Sequence, residues 1–201
     1  MHYSYKNTIA WLIIFSISMG FFESSIVVYL REIYYPDGFS FPLEPIAPQI
    51  AGTEFVRELF SLLMIISVAA LAKRRFYERF ANFLLIFAIW DIFYYIFLKV
   101  ILGWPASLMT WDILFLVPVP WTSPVIAPVI VSLTMIGLAA VIYKFQRNDK
   151  SFDIQTREWI LLISGAFIIF VSFIWDFLSF VFPIHNNYNH LSPIEKLMTL
   201  S

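Results

Sequence analysis

Residues 53–102 read TEFVRELFSLLMIISVAALAKRRFYERFANFLLIFAIWDIFYYIFLKVIL. Two apolar runs, 53–72 and 76–102, flank the basic triplet Lys73-Arg74-Arg75. Each run has the roughly 20 residues that a helix needs to cross about 30 Å of hydrocarbon. A helix also satisfies its own backbone N–H and C=O groups, which hydrocarbon cannot do. The stretch therefore predicts a helical hairpin through a membrane, with positive charge at its bend.

Three further runs of the same kind lie outside it, at about 8–33, 125–145 and 157–182. Residues 9–30 are too long for the apolar core of a signal peptide, and no small-residue cleavage site follows, so a retained first helix is expected. The loop after it carries Pro36, Pro42, Pro45 and Pro48 with Gly38 and Gly52, which stop a long helix. Residues 106–124 include TWDILFLVPVPWTSP, apolar enough for membrane depth but broken by Pro118, Pro120 and Pro124. An interfacial or re-entrant segment that is not a straight helix is expected there, packed against protein. The fold class is all-α: one transmembrane domain over residues 1–201, a bundle of five spanning helices with this Pro-rich segment before the fourth.

Composition points the same way. Hydrophobic residues make up 60% of the chain, charged residues 13%, and the mean hydropathy is +0.79. Soluble domains carry about 25% charged residues, so this chain has too little charge to cover a water-facing surface. The net charge of −1 gives no basic field for nucleic acid. Cysteine is absent, which excludes disulfides, thiolate nucleophiles and Cys-ligated metal centres. The chain holds no Gly-rich phosphate loop and no G-x-S-x-G nucleophile elbow, and no histidine lies inside a span to ligate haem. The expected surroundings are the lipid bilayer and other membrane subunits.

Basic residues set the expected orientation. With five spans, Lys6, Lys73, Arg74, Arg75, Arg79, Lys144, Arg147, Lys150 and Arg157 fall on one side, nine of the 13 Lys and Arg. Arg31, Arg57, Lys99 and Lys196 remain. The rule places the N-terminus in the cytoplasm and the C-terminus outside, in a multi-pass protein of the cell membrane.

Counted at about 1.5 Å per residue, the carboxylates at membrane depth all fall in the outer half. Glu23 lies past the midplane of the first span, and Glu54 and Glu58 lie in the outer turns of the second, with Arg57 between them. Asp91 is central to slightly outer, Asp112 is in the Pro-rich segment, and Asp176 is seven residues before Pro183. Ionisable residues within spans are costly and are functional candidates by default. The sequence predicts that Glu23, Glu58, Asp91, Asp112 and Asp176 line one outward-facing polar cavity. Arg57 and Arg31 are the expected counter-charges. The plainer account makes these residues structural ion pairs, such as Glu54 with Arg57 at i, i+3. Two arginines do not cover the whole set.

Asp91, Asp112 and Asp176 each follow a tryptophan, at Trp90, Trp111 and Trp175. FAIWDIF at 87–93 resembles SFIWDFL at 172–178, as a parallel duplication of two hairpins would give. His185 and His190 flank an Asn-rich turn that reads first as a solvated exit loop and second as a source of metal ligands.

Two functions follow. In one, the site binds a cation or metal, or acts on an extracytoplasmic or lipid-borne substrate. Glu23, Asp112 and His185 would then be ligands for a divalent metal (Mg, Ca, Mn or Zn), and Asp91, Asp176 and Glu58 the acid–base groups. In the other, the chain is a non-catalytic accessory subunit whose acidic residues pair with Arg or Lys of partner chains.

Overall fold

A computed structural model of the chain shows five α-helices and one small sheet, and describes residues 5–36, 38–39, 46–72, 75–147 and 154–181. The helices are α1 (Tyr5–Tyr34), α2 (Pro48–Ala72), α3 (Phe76–Leu102), α4 (Ile126–Arg147) and α5 (Thr156–Val181). All five contain a stretch long and apolar enough to cross a membrane, which supports a multi-pass membrane protein. Their bounds follow the expected spans closely. The largest difference is at α2, which starts at Pro48 rather than near residue 53. A proline in the first turn has no N–H to leave unsatisfied and its φ is already helical, so Pro48 begins this helix instead of blocking it.

Residues 106–124 form no helix. Trp111–Phe115 (β1) pairs with Trp121–Pro124 (β2) in a two-stranded sheet. The five residues between them are too few for a parallel crossover, so the pair is an antiparallel hairpin. Trp, Ile and Phe suit a pleated, half-buried surface. Pro118 and Pro120 fall in the connection, where a missing N–H costs no ladder bond.

The described residues divide into two compact units. The first draws on the described residues of 5–28, 59–111 and 124–147, the second on those of 29–58, 112–123 and 154–181.

In the first unit α3 packs along α4, with Ala81, Leu84, Leu85, Ala139 and Ile142 buried between them. Small alanines on both helices let the backbones approach, the usual device where lipid supplies no hydrophobic drive between helices. Asn82 fastens three helices at once. Its amide donates to the Ala69 carbonyl at 3.2 Å and its oxygen accepts from the Tyr143 hydroxyl at 2.8 Å. α1 crosses α3 at Gly20, beside the Trp90 carbonyl and the Phe93 Cβ. Phe21 meets Phe97 edge-on at 5.1 Å between centroids. Gly103 ends α3 in the left-handed region (φ 69°), its N–H bonded to the Lys99 carbonyl, as a helix C-terminal glycine does.

The second unit holds the hairpin and α5. The Trp121 ring on β2 packs edge-on against Phe170 at 5.1 Å and near Phe173 at 6.2 Å. Much of α5 remains exposed and apolar, including Ile160, Leu161, Ile163, Phe167 and Ile168. A face of that kind fits hydrocarbon rather than water. Hydroxyls on the helices, such as Ser18, Ser25 and Ser67, donate to carbonyls four residues back and so require nothing from their surroundings.

Candidate functional site

Five charged residues of the second unit, Arg31, Glu54, Arg57, Glu58 and Asp112, lie where α1 ends, α2 begins and the hairpin starts. Strand alternation decides the first contact: on β1 Trp111 faces outward and Asp112 inward. Asp112 then accepts a hydrogen bond from Arg31 Nη2 at 3.1 Å, and the two side chains are only 2% and 9% exposed. Arg31 sits in the last turn of α1, where a cation complements the helix dipole. Its guanidinium carbon lies 4.3 Å from the centre of the Phe39 ring, a cation–π contact that shields the other face of the charge.

The second cluster is built on α2. Arg57 Nε donates to Glu54 Oε2 at 2.7 Å, the i, i+3 pair expected from spacing, and its Nη2 lies 4.0 Å from Glu58 Oε1. Glu58 is buried, and its Oε2 accepts from the backbone N–H of Leu116 at 2.7 Å. Asp112 and Leu116 are four residues apart, about 13 Å along an extended chain. One short segment is thus held at both ends by carboxylate bonds, to α1 at Asp112 and to α2 at Glu58. Among the described residues, two guanidinium groups thus meet three carboxyl groups here.

In the first unit two more carboxylates bridge helices through serines. Glu23 Oε2 is 3.3 Å from Ser61 Oγ, joining α1 to α2, and Asp91 Oδ2 accepts from Ser132 Oγ at 2.8 Å, joining α3 to α4. Glu23, Ser61 and Ser132 are all buried. Each contact gives a carboxyl oxygen a hydroxyl donor from a neighbouring helix, as buried polar groups require.

No known protein family, characterised protein or solved structure matches this chain.

Arg31 is brought to Asp112, and Arg57 to Glu54 and Glu58. Glu23 and Asp91 each take a serine of a neighbouring helix. Asp176 lies on α5. His185 lies outside the described residues. Among the described residues no three Asp, Glu or His side chains are grouped to hold a metal ion. Ser61, Ser132, Phe39 and the Leu116 amide escape sequence reasoning altogether. Serine is common in these helices and spacing alone does not say which one faces a carboxylate. The amide has no side-chain signature.

Proposed function

We propose that this protein spans the cell membrane five times, N-terminus inside and C-terminus outside. We further propose that the network of Arg31, Glu54, Arg57, Glu58 and Asp112 is a binding site on the outer side. Its ligand is the polar portion of a lipid-borne or extracytoplasmic substrate. The observation that carries this reading is the Arg31–Asp112 pair, buried at 3.1 Å in a chain otherwise short of charge. Burying a charge is costly unless it is paired and hydrogen-bonded, and fold class alone does not require a buried pair. The guanidinium groups already occupy the place a cation would take beside Asp112, Glu54 and Glu58. A hydroxyl-bearing or zwitterionic group, able both to donate to these carboxylates and to accept from the arginines, suits the network better than a resident metal. Glu58 is its acid–base candidate, because one oxygen is fixed by the Leu116 amide and the other faces Arg57.

The same pairing weakens the accessory-subunit reading. In the network Asp112, Glu54 and Glu58 each have an arginine of the chain itself within 4.0 Å.

Two measurements test the proposal. A cysteine at Ser201 is expected to react with an impermeant thiol reagent added to intact cells, and one at Ser151 to stay protected. The reverse pattern would invert the orientation. Mass spectrometry of small molecules retained after mild detergent purification should find a polar lipid or solute with the wild type. Glu58→Gln, which still accepts from Leu116, should retain at least about tenfold less, the worth of one charge-assisted bond of roughly 1.5 kcal/mol. Equal retention by both, or a stoichiometric protein partner in place of a small molecule, would overturn the binding-site reading.

A further inference from the structure

At the far end of α3, within the first unit, a cleft of about 510 Å³ opens between that helix, residues 105–108 and the start of α4. That volume lies within the range of about 300–1,000 Å³ typical of small-molecule sites. Its walls are apolar: Ile92, Ile96 and Val100 on α3, Leu108 in the connection, and Val125 and Val129 opposite. Val125 is fully buried at the floor, while Ile96, Val100 and Leu108 are exposed along the rim. One charge borders the cleft. The Lys99 ammonium donates to the carbonyls of Gly103 and Pro105, at 2.9 and 2.8 Å. Those bonds cap the end of α3 and, taken alone, would give Lys99 a purely structural part. They leave the positive charge without an anion, because among the described residues no carboxylate lies within 4.0 Å of it. They also use two of the three ammonium hydrogens.

We propose that the cleft binds one acyl chain of an anionic glycerophospholipid, with the lipid phosphate on the Lys99 ammonium. The occupant follows from chemistry and depth together. A cleft with hydrocarbon walls calls for a chain, and an unneutralised cation at its rim calls for a net negative headgroup. Lys99 lies in the last turn of a helix apolar enough to span, where long basic side chains reach the headgroup level. A zwitterionic lipid brings its own cation beside the phosphate and gains less from Lys99. One lysine at a membrane surface is worth about a fivefold preference for anionic lipid. The inference needs only that α3 spans the membrane. It is independent of the Arg31–Asp112 network and of which terminus is inside.

Native mass spectrometry of the whole protein in neutral detergent tests it, with phosphatidylglycerol and phosphatidylcholine of identical chains titrated separately. The wild type should bind its first phosphatidylglycerol about fivefold more tightly than phosphatidylcholine. Lys99→Gln should bind both equally, and Lys99→Arg should keep the preference. Val129→Phe, which fills the cleft and leaves Lys99 in place, should weaken both lipids roughly tenfold, the worth of about two buried methylenes. Ile96→Trp at the exposed rim should do the same without disturbing any buried packing. An undiminished preference in Lys99→Gln would overturn the headgroup contact, and wild-type affinity in both cleft-filling variants would overturn the chain site. Displacement of phosphatidylglycerol by an equal concentration of inorganic phosphate would make Lys99 a site for free anion instead.

Discussion

Asp112→Ala lowers the stability of the folded protein by about 3–5 kcal/mol, the usual cost of removing one member of a buried ion pair. Arg31 is 7% exposed as a whole residue and lies in the last turn of α1. A guanidinium keeps its proton at any ordinary pH, so deleting the carboxylate takes an ion-pair partner from a buried positive charge that lies beside Phe39. The hairpin also loses its bond to α1, while the one between the Leu116 amide and Glu58 remains. Arg31→Met is expected to be similarly damaging, because the buried Asp112 then loses its guanidinium partner. The double variant Arg31→Met/Asp112→Leu should regain most of the loss, since apolar groups of similar size often replace a buried pair at no net cost. Denaturant unfolding of the four proteins in detergent gives the coupling directly. Single variants within about 1 kcal/mol of wild type, the range of a solvated surface pair, would mean that the pair is not buried. The double variant also separates structure from function. A merely structural pair leaves substrate retention unchanged in the refolded double variant, whereas a pair that binds substrate loses it.

The helices were legible because each is written as a single local signal. A run such as 76–102 is apolar from end to end, begins just after Arg75 and stops at Gly103 and Pro105, so composition fixes its length to within a turn. The hairpin was harder to read for a reason specific to its prolines. Pro118 and Pro120 exclude a helix through 106–124, and that much follows from the ring and the absent N–H. Recognising strands on either side requires reading WDILF as alternating, which is obscured because only Asp112 in it is polar. The pairing of charges was legible only where it is local. Glu54 and Arg57 are three apart on one helix and their ion pair could be read from spacing. Arg31 and Asp112 are 81 residues apart, and nothing in the chain between them encodes that α1 ends beside β1. The same holds for Glu58 and the Leu116 amide, and for the two serines that reach Glu23 and Asp91. Burial of charge could be anticipated from its cost, but its partners emerge only from tertiary packing.

Gly20→Leu prevents α1 from seating on α3 and is expected to destabilise by at least the roughly 1–3 kcal/mol of ordinary overpacking. A Cβ at this position would lie 3.0 Å from the Trp90 carbonyl oxygen, 3.1 Å from the Phe93 Cβ and 3.2 Å from the Tyr94 nitrogen. Two of these three atoms are backbone and the third is fixed to it, so no side-chain rotation relieves the contact. The helices must part, and the Phe21–Phe97 contact one residue on is loosened with them. Gly20→Ala sets two effects of similar size against each other. Alanine gains up to about 1 kcal/mol of helix propensity over glycine, while its methyl forces α3 outward by a few tenths of an ångström. The net change should be small. Gly137 on α4 supplies the control, because nothing lies within 4 Å of the Cβ it would carry. Gly137→Ala should keep the propensity gain without the clash and raise the unfolding midpoint. The order expected from thermal unfolding in detergent is Gly137→Ala above wild type, Gly20→Ala near it and Gly20→Leu well below. A Gly20→Leu protein with a wild-type midpoint would show that α1 and α3 do not meet at this glycine.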